Sequence, residues 1–290
     1  MSLETRKIND IAVKPIIQNK LPKEEVLGYE YFPTLYSNIY ICSKRKSGKT
    51  TLIYNILKHC NDKKTNVVFF CSTIHRDQTY KKILEMLEKK GVNVIAYDHF
   101  IDGKENVLMT MLNEMNIDLE AKETAKKPKG NEIVGWGKFD EEVEEKKEER
   151  KERKPKKLGC EYIFVFDDLG SDLRAPCITQ LCKIGRHYKA KLIFSSQYLH
   201  DLSNSAIKNI DVCLIFKSFN REKLLVLFEG LDLGCSFEQF VEMYHDATYT
   251  PFNFLYVDCR EGRFRRNADR EYVIKDSEYF FVSLIIYNNA

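Results

Sequence analysis

The chain lacks what would tie it to a bilayer, to an oxidising compartment or to a zinc site. No stretch of its 290 residues reaches the ~18–20 consecutive apolar side chains that a membrane span needs. The opening Met-Ser-Leu-Glu-Thr-Arg-Lys has no apolar stretch of the kind a secretory signal carries. A soluble, intracellular protein with no membrane partner is therefore expected. The nine cysteines are odd in number and include no C-x-x-C. Cys42, Cys71, Cys213 and Cys259 sit in apolar runs and read as reduced core thiols, suited to a reducing compartment, rather than as a disulfide framework. His59, Cys60, Cys71 and His75 come nearest to a zinc set, but without paired short spacings. Net charge is only +3, so the total argues neither for nor against nucleic acid, and a local patch would decide.

What is present is one strongly patterned stretch. Asn38 to Cys42 is an apolar run that reads as a buried strand, and Thr51 to His59 follows with helical spacing. Between them, Ser43-Lys-Arg-Lys-Ser-Gly48-Lys49-Thr50 meets G-x-x-x-x-G-K-[ST] everywhere except at its first position, where Ser43 replaces Gly. This is a phosphate loop in its required strand–turn–helix setting. The candidate nucleotide contacts are Ser43, Lys44, Arg45, Lys46, Ser47, Gly48, Lys49, Thr50 and Thr51. Consecutive backbone N–H groups make an anion nest, and the following helix adds its positive end. Gly48 lets the backbone come close to phosphate oxygens. Lys49 is placed to reach the β- and γ-phosphates, and the Thr50 hydroxyl to ligate Mg2+. Lys44, Arg45 and Lys46 are expected to point outward, a crowd of positive charge that favours a polyanion nearby.

Downstream, strands and helices alternate. Thr65–Cys71 reads as a strand, Thr79–Lys90 as a helix ended by Gly91, and Val92–Tyr97 as a third strand. This β–α–β order implies a mainly parallel sheet with helices on both faces. Composition shifts over 103–158: Val107–Leu119 suits a short helix, a loop carries the only tryptophan, Trp136, and 140–157 is almost wholly charged. The segment is taken as a mobile surface insertion. A solvated charge run and a nucleic-acid contact at its basic end are both readings of it. Cys160 to Phe166 then runs into Asp167-Asp168, two carboxylates at a strand's carboxyl end, where α/β sheets bind ligands. Asp167 suits a Mg2+ ligand. Asp168 suits the group that orients the attacking water, a position where Glu is usual. A helix over 175–186 and a strand over 191–196 follow, the strand ending in Gln197. A polar residue there marks the additional-strand class of P-loop ATPases, its amide bridging the γ-phosphate and the lytic water. A strand to Phe216, a helix opened by Arg221, a helix over 237–246 and a strand over 252–258 complete the core. Residues 260–287 read as β-rich. Arg263, Arg265 and Arg266 beside Phe264 suit either DNA phosphate or a charged edge hairpin.

Phosphate loop, carboxylate pair, Gly185-Arg186-His187-Tyr188, Ser195-Ser196-Gln197 and Ile207-Lys208-Asn209-Ile210 stand in an order that resembles the FtsK/HerA superfamily of DNA-pumping ATPases. The likeness is greatest to the branch that packages genomes in large nucleocytoplasmic DNA viruses, virophages and polinton-like elements. It covers about residues 36–260, less the insertion, and departs from the pattern at Ser43 and Asp168. The resemblance implies a RecA-like P-loop NTPase that hydrolyses ATP with Mg2+ and moves double-stranded DNA into a capsid. It implies a homo-oligomeric ring, pentamer or hexamer, with a capsid or portal protein as a further partner. It also implies residence in host cytoplasm, a viral factory or the virion. Asp168 and Gln197 match catalytic positions, and Arg221, with Arg186 as its rival, matches an arginine acting on a neighbour's site. A helicase or conjugation-type pump shares these residues, and a non-motor ATP-binding scaffold is the rival from another class. The expected division is an N-terminal arm over 1–36, an ATPase core over 37–260 interrupted by the insertion at 103–158, and a β-rich extension over 261–290.

Overall fold

A computed structural model describes residues 22–102, 105–126 and 157–274. In chain order, β1 (Asn38–Cys42), α1 (Lys49–Cys60), β2 (Asn66–Cys71), α2 (Gln78–Lys89) and β3 (Asn93–Tyr97) form the first half. Two-residue strands β4 (Ile101–Asp102) and β5 (Glu105–Asn106) lead into α3 (Val107–Lys126). Then come β6 (Tyr162–Asp167), α4 (Pro176–Ile184), β7 (Ala190–Ser196), a single turn α5 (Asn204–Ile207) and β8 (Val212–Phe216). Helices α6 (Arg221–Leu231) and α7 (Phe237–Ala247) precede β9 (Phe254–Asp258), β10 (Arg263–Arg266) and β11 (Arg270–Glu271).

Nine strands make one sheet in the order β11-β10-β9-β8-β1-β7-β6-β2-β3. The six from β8 to β3 are mutually parallel, and β9, β10 and β11 continue it antiparallel. β7 is inserted between β1 and β6, the added strand that the polar residue after it announced. The fold is the P-loop NTPase fold of the additional-strand class, with a β-rich C-terminal side.

The central strands are covered on both faces, which is why they read as unbroken apolar runs. Side chains alternate between two cores. Ile39, Ile41, Ile163 and Val165 face α1 and α2, while Tyr40, Cys42, Phe164 and Phe166 face α4, α6 and α7. Phe70, Phe166 and Phe194 stack across three neighbouring strands at 5.2 and 5.0 Å between ring centres. Such pairs are worth about 0.5–1.5 kcal/mol each beyond burial. Gly91, at φ +68°, ends α2 with its N–H on Glu88 O, as its position predicted. All nine cysteines are free and seven are buried, and burial pushes thiols such as Cys60 up to about 12, consistent with inert core groups.

One expectation changes. α3 is longer than the helix read over 107–119, and Leu108, Leu112 and Met115 belong to the core with Phe100. The first part of the compositionally odd segment is therefore core, while the charged run and Trp136 lie outside the described residues. The described part of the N-terminal arm packs on its own chain. Phe32 is buried, and the fully buried Lys191 ammonium donates to Leu27 O at 2.6 Å and lies over the Phe32 ring. Residues 1–21 lie outside the described residues. Gly28, at φ +78°, is seated on α1: a Cβ there would fall 2.1 Å from Cys60 Sγ. Gly28→Ala is expected to lower stability by about 2–4 kcal/mol, combining strain and overpacking. A shift in denaturant midpoint at unchanged slope checks it.

Candidate functional site

The carboxyl ends of β1, β6 and β7 bring the predicted groups together. Ser43 is fully buried, its N–H donates to Ser196 O at 3.1 Å, and its hydroxyl accepts from Ser47 Oγ at 2.6 Å. A glycine at this position would lack that internal tie, so Ser43 is a built part of the loop. Lys46 (φ +64°) and Gly48 (φ +100°) turn the backbone back toward α1. No side chain caps the start of α1 and no acid stands in its first turn, which keeps its positive end open to an anion. Lys49 leans over the loop with Nζ 3.5 Å from Ser43 O. Thr50 and Thr51 follow in the first turn, Thr50 half-buried and Thr51 exposed. Lys44, Arg45 and Lys46 are exposed, as expected.

Asp167 ends β6 and is buried. Its Oδ2 accepts from the Tyr80 hydroxyl at 2.6 Å, and its Oδ1 has no hydrogen-bond partner among the described residues. Ser195, its register partner on β7, likewise has a buried hydroxyl with no hydrogen bond of good geometry among the described residues, though it lies close enough to influence the Asp167 carboxyl. Burial raises the Asp167 carboxyl above its ordinary value, against the pull of neighbouring hydroxyls and the Lys49 ammonium. A half-satisfied buried carboxylate is expensive, and a cation at Oδ1 would relieve it.

Asp168 turns out of the strand at φ +59° and is exposed. Its carbonyl accepts from Ser72 Oγ at 2.9 Å, and its carboxylate accepts from Gln197 Nε2 at 3.1 Å. The ends of β2, β6 and β7 thus hold the two predicted catalytic side chains in contact. The Gln197 segment is fixed from below by Tyr40, whose hydroxyl meets Ser196 Oγ at 2.7 Å and Tyr198 O at 3.0 Å.

The two arginines are not brought to this site. Arg221 opens α6 at the same edge of the sheet, but its guanidinium pairs with Glu238 at 2.6 and 2.7 Å and covers Phe237. Arg186 is exposed in the turn before β7, at the amino edge of the sheet and so at the end away from the loop. Gly185 and Asn209 are at that edge too. A Cβ at Gly185 would meet Leu192 at 3.3 Å, and Asn209 O accepts from Asn38 Nδ2 at 2.7 Å. Of the Arg263–Arg266 cluster, Arg263 pairs with Glu261, Arg265 lies on Tyr256 and Arg266 contacts Thr250. These internal partners favour the edge-hairpin reading over a DNA contact.

Tyr80 and Ser72 were missed in the sequence. Tyr80 read only as one residue of an amphipathic helix, and nothing marked a contact with a residue 87 positions away. It is fully buried, edge-on to Phe69. Tyr80→Phe keeps the ring and removes the hydrogen bond. It is expected to raise the Mg2+ concentration for half-maximal nucleotide binding about 10-fold or more, as losses of outer-shell partners do. Fluorescent-nucleotide titrations at stepped Mg2+ read this, and an unchanged midpoint would make the bond irrelevant to the cation.

No helix among the described residues is long and apolar enough to cross a membrane. No family model matches the chain, and no curated protein matches it. Among solved structures, the chain is similar to the genome packaging NTPase B204 from Sulfolobus turreted icosahedral virus 2 in complex with AMP. Identity is 15%, the TM-score is 0.49, and the match covers 83% of this chain and 100% of that one. It is similar to B204, the DNA-packaging ATPase from Sulfolobus turreted icosahedral virus, at 16% identity and TM-score 0.47, over 79% and 95% of the two chains. The pCW3 conjugation coupling protein TcpA follows at 14% identity and TM-score 0.42, over 88% and 65%.

Proposed function

We propose that the chain is an ATP-hydrolysing motor of the FtsK/HerA type that drives double-stranded DNA into a viral capsid. The observation that carries the hydrolytic part is one cluster: an open phosphate loop, a buried Asp167 with a free Oδ1, and Asp168 bonded to Gln197. A scaffold that used its loop only to stabilise a fold would have no reason to keep that carboxylate unsatisfied. The DNA part is supported by the order of motifs in the sequence. Exposed Lys44, Lys217 and Lys223 around a cleft of about 440 Å3 beside the loop also suit a polyanion.

In this reading the loop N–H groups and Lys49 hold the phosphates, and their charge is available where negative charge develops. Thr50 and Asp167 fit a Mg2+ ion, which takes one or two protein oxygens along with waters and substrate phosphates. When bound there, such an ion would supply positive charge against the phosphates' negative charge. Asp168 accepts a hydrogen bond from the water that attacks the γ-phosphorus in line, and Gln197 holds Asp168 and the water in register. The products are ADP and phosphate. Arg221, solvent-exposed at the same edge of the sheet as the loop, serves a neighbouring subunit's γ-phosphate by exchanging Glu238 for phosphate oxygens.

The test is ATP turnover per chain against protein concentration, for wild type and Arg221→Ala. The ring reading predicts a steep rise with concentration that collapses in the variant. A flat profile, equal in both proteins, would mean a site that works within one chain.

A further inference from the structure

The cluster above meets the phosphate end of a nucleotide and says nothing of its other end. Asp167, Asp168 and Gln197 end β6 and β7, on one side of β1, while β8 and β9 lie on the other side. β9 runs antiparallel to β8 with Phe254 opposite Phe216, so the residues just before β9 stand at the same edge of the sheet as the phosphate loop. Phe252 is among them. Its ring reaches the loop: a Cβ at Gly48 would lie 3.3 Å from Phe252 Cδ1. Even so, Phe252 is 70% exposed and holds φ +68°, a left-handed conformation that a bulky residue adopts at a cost.

We propose that Phe252 is the platform on which the base of the bound nucleoside triphosphate stacks. The inference rests on the phosphate-loop reading. With the terminal phosphate directed to Asp168 and Gln197, the nucleoside leaves the loop on the side of β8 and β9, where Phe252 offers an uncovered aromatic face. The ring's contact with Gly48 keeps that face at the border of the nest instead of letting it fold into the core. A planar base covers apolar ring area there. Because every base has a π-face, the platform favours nucleotides over bare polyphosphate without choosing strongly among bases.

The experiment compares MgATP with magnesium tripolyphosphate by calorimetry on wild type, Phe252→Ala and Phe252→Trp. The side chain is exposed, so its truncation removes little packing, and Phe252→Trp retains an aromatic face. The expected result for Phe252→Ala is a loss of about 10-fold in ATP affinity, in the range seen for base–aromatic stacking, with tripolyphosphate affinity within about twofold of wild type. Phe252→Trp restores ATP binding. Unchanged ATP affinity in Phe252→Ala overturns the platform, as does an equal loss for both ligands, which would make Phe252 a support for the loop. Either result leaves the phosphate-loop reading standing. If the wild type binds neither ligand, that reading fails and the platform falls with it.

Discussion

Lys49→Ala is expected to abolish ATP turnover, by about 10²–10³-fold or more, while leaving the fold intact. The side chain is half-buried and leans over the loop with its ammonium 3.5 Å from Ser43 O, so on truncation the native structure loses one long hydrogen bond and the ammonium's pull on the Asp167 carboxyl. Its role is toward charge that arrives with the substrate. The loop's N–H groups remain and provide residual phosphate affinity, but the Lys49 ammonium is the loop charge that acts on the Asp167 carboxyl. Steady-state ATPase with a thermal melt run in parallel checks the prediction. Wild-type turnover in a folded Lys49→Ala protein would remove the phosphate loop from the mechanism.

Asp168→Asn is expected to separate binding from chemistry. The substitution is nearly isosteric and keeps an oxygen that can accept from Gln197 Nε2, so the local geometry at 3.1 Å has no reason to change. What disappears is the charge that polarises water, a contribution of about 10²–10⁴-fold in rate. MgATP affinity is predicted to stay within about threefold, because Asp167 with its free Oδ1 is the residue that fits the cation. Equilibrium binding beside single-turnover hydrolysis distinguishes the steps. If binding falls along with hydrolysis, Asp168 is a metal ligand and the two carboxylates share one task.

The physical reasons for what could be foreseen are specific. The loop between β1 and α1, and Asp167 at the end of β6, are legible because their chemistry is local: an apolar run, a phosphate-binding spacing, two acids at a strand end. β1 and α1 fall within two residues of where the apolar pattern put them. That Gln197 would meet Asp168 was readable only through an expected fold, and the insertion of β7 between β1 and β6 brings them together. Composition misled over 107–115. A shift toward polar residues suggested a surface insertion, yet Leu108, Leu112 and Met115 at i, i+4 and i+7 form one helical face that closes the core under Phe100. Tyr80 and Phe252 were invisible for another reason. Their contacts link residues 87 and about 200 positions apart, and a single tyrosine or phenylalanine in an apolar segment carries no mark of its partner. The arginine assignments stand differently. Arg221 and Arg186 are at opposite edges of the sheet, a distinction that neither spacing nor charge could supply.

The most direct measurement of the central claim is steady-state ATP hydrolysis by the wild-type chain, with and without Mg2+ and with and without linear duplex DNA. The account predicts turnover that requires Mg2+ and rises when duplex DNA is added. Nucleotide that binds but is never hydrolysed, under every combination, would contradict it and leave the phosphate loop as a structural binding site.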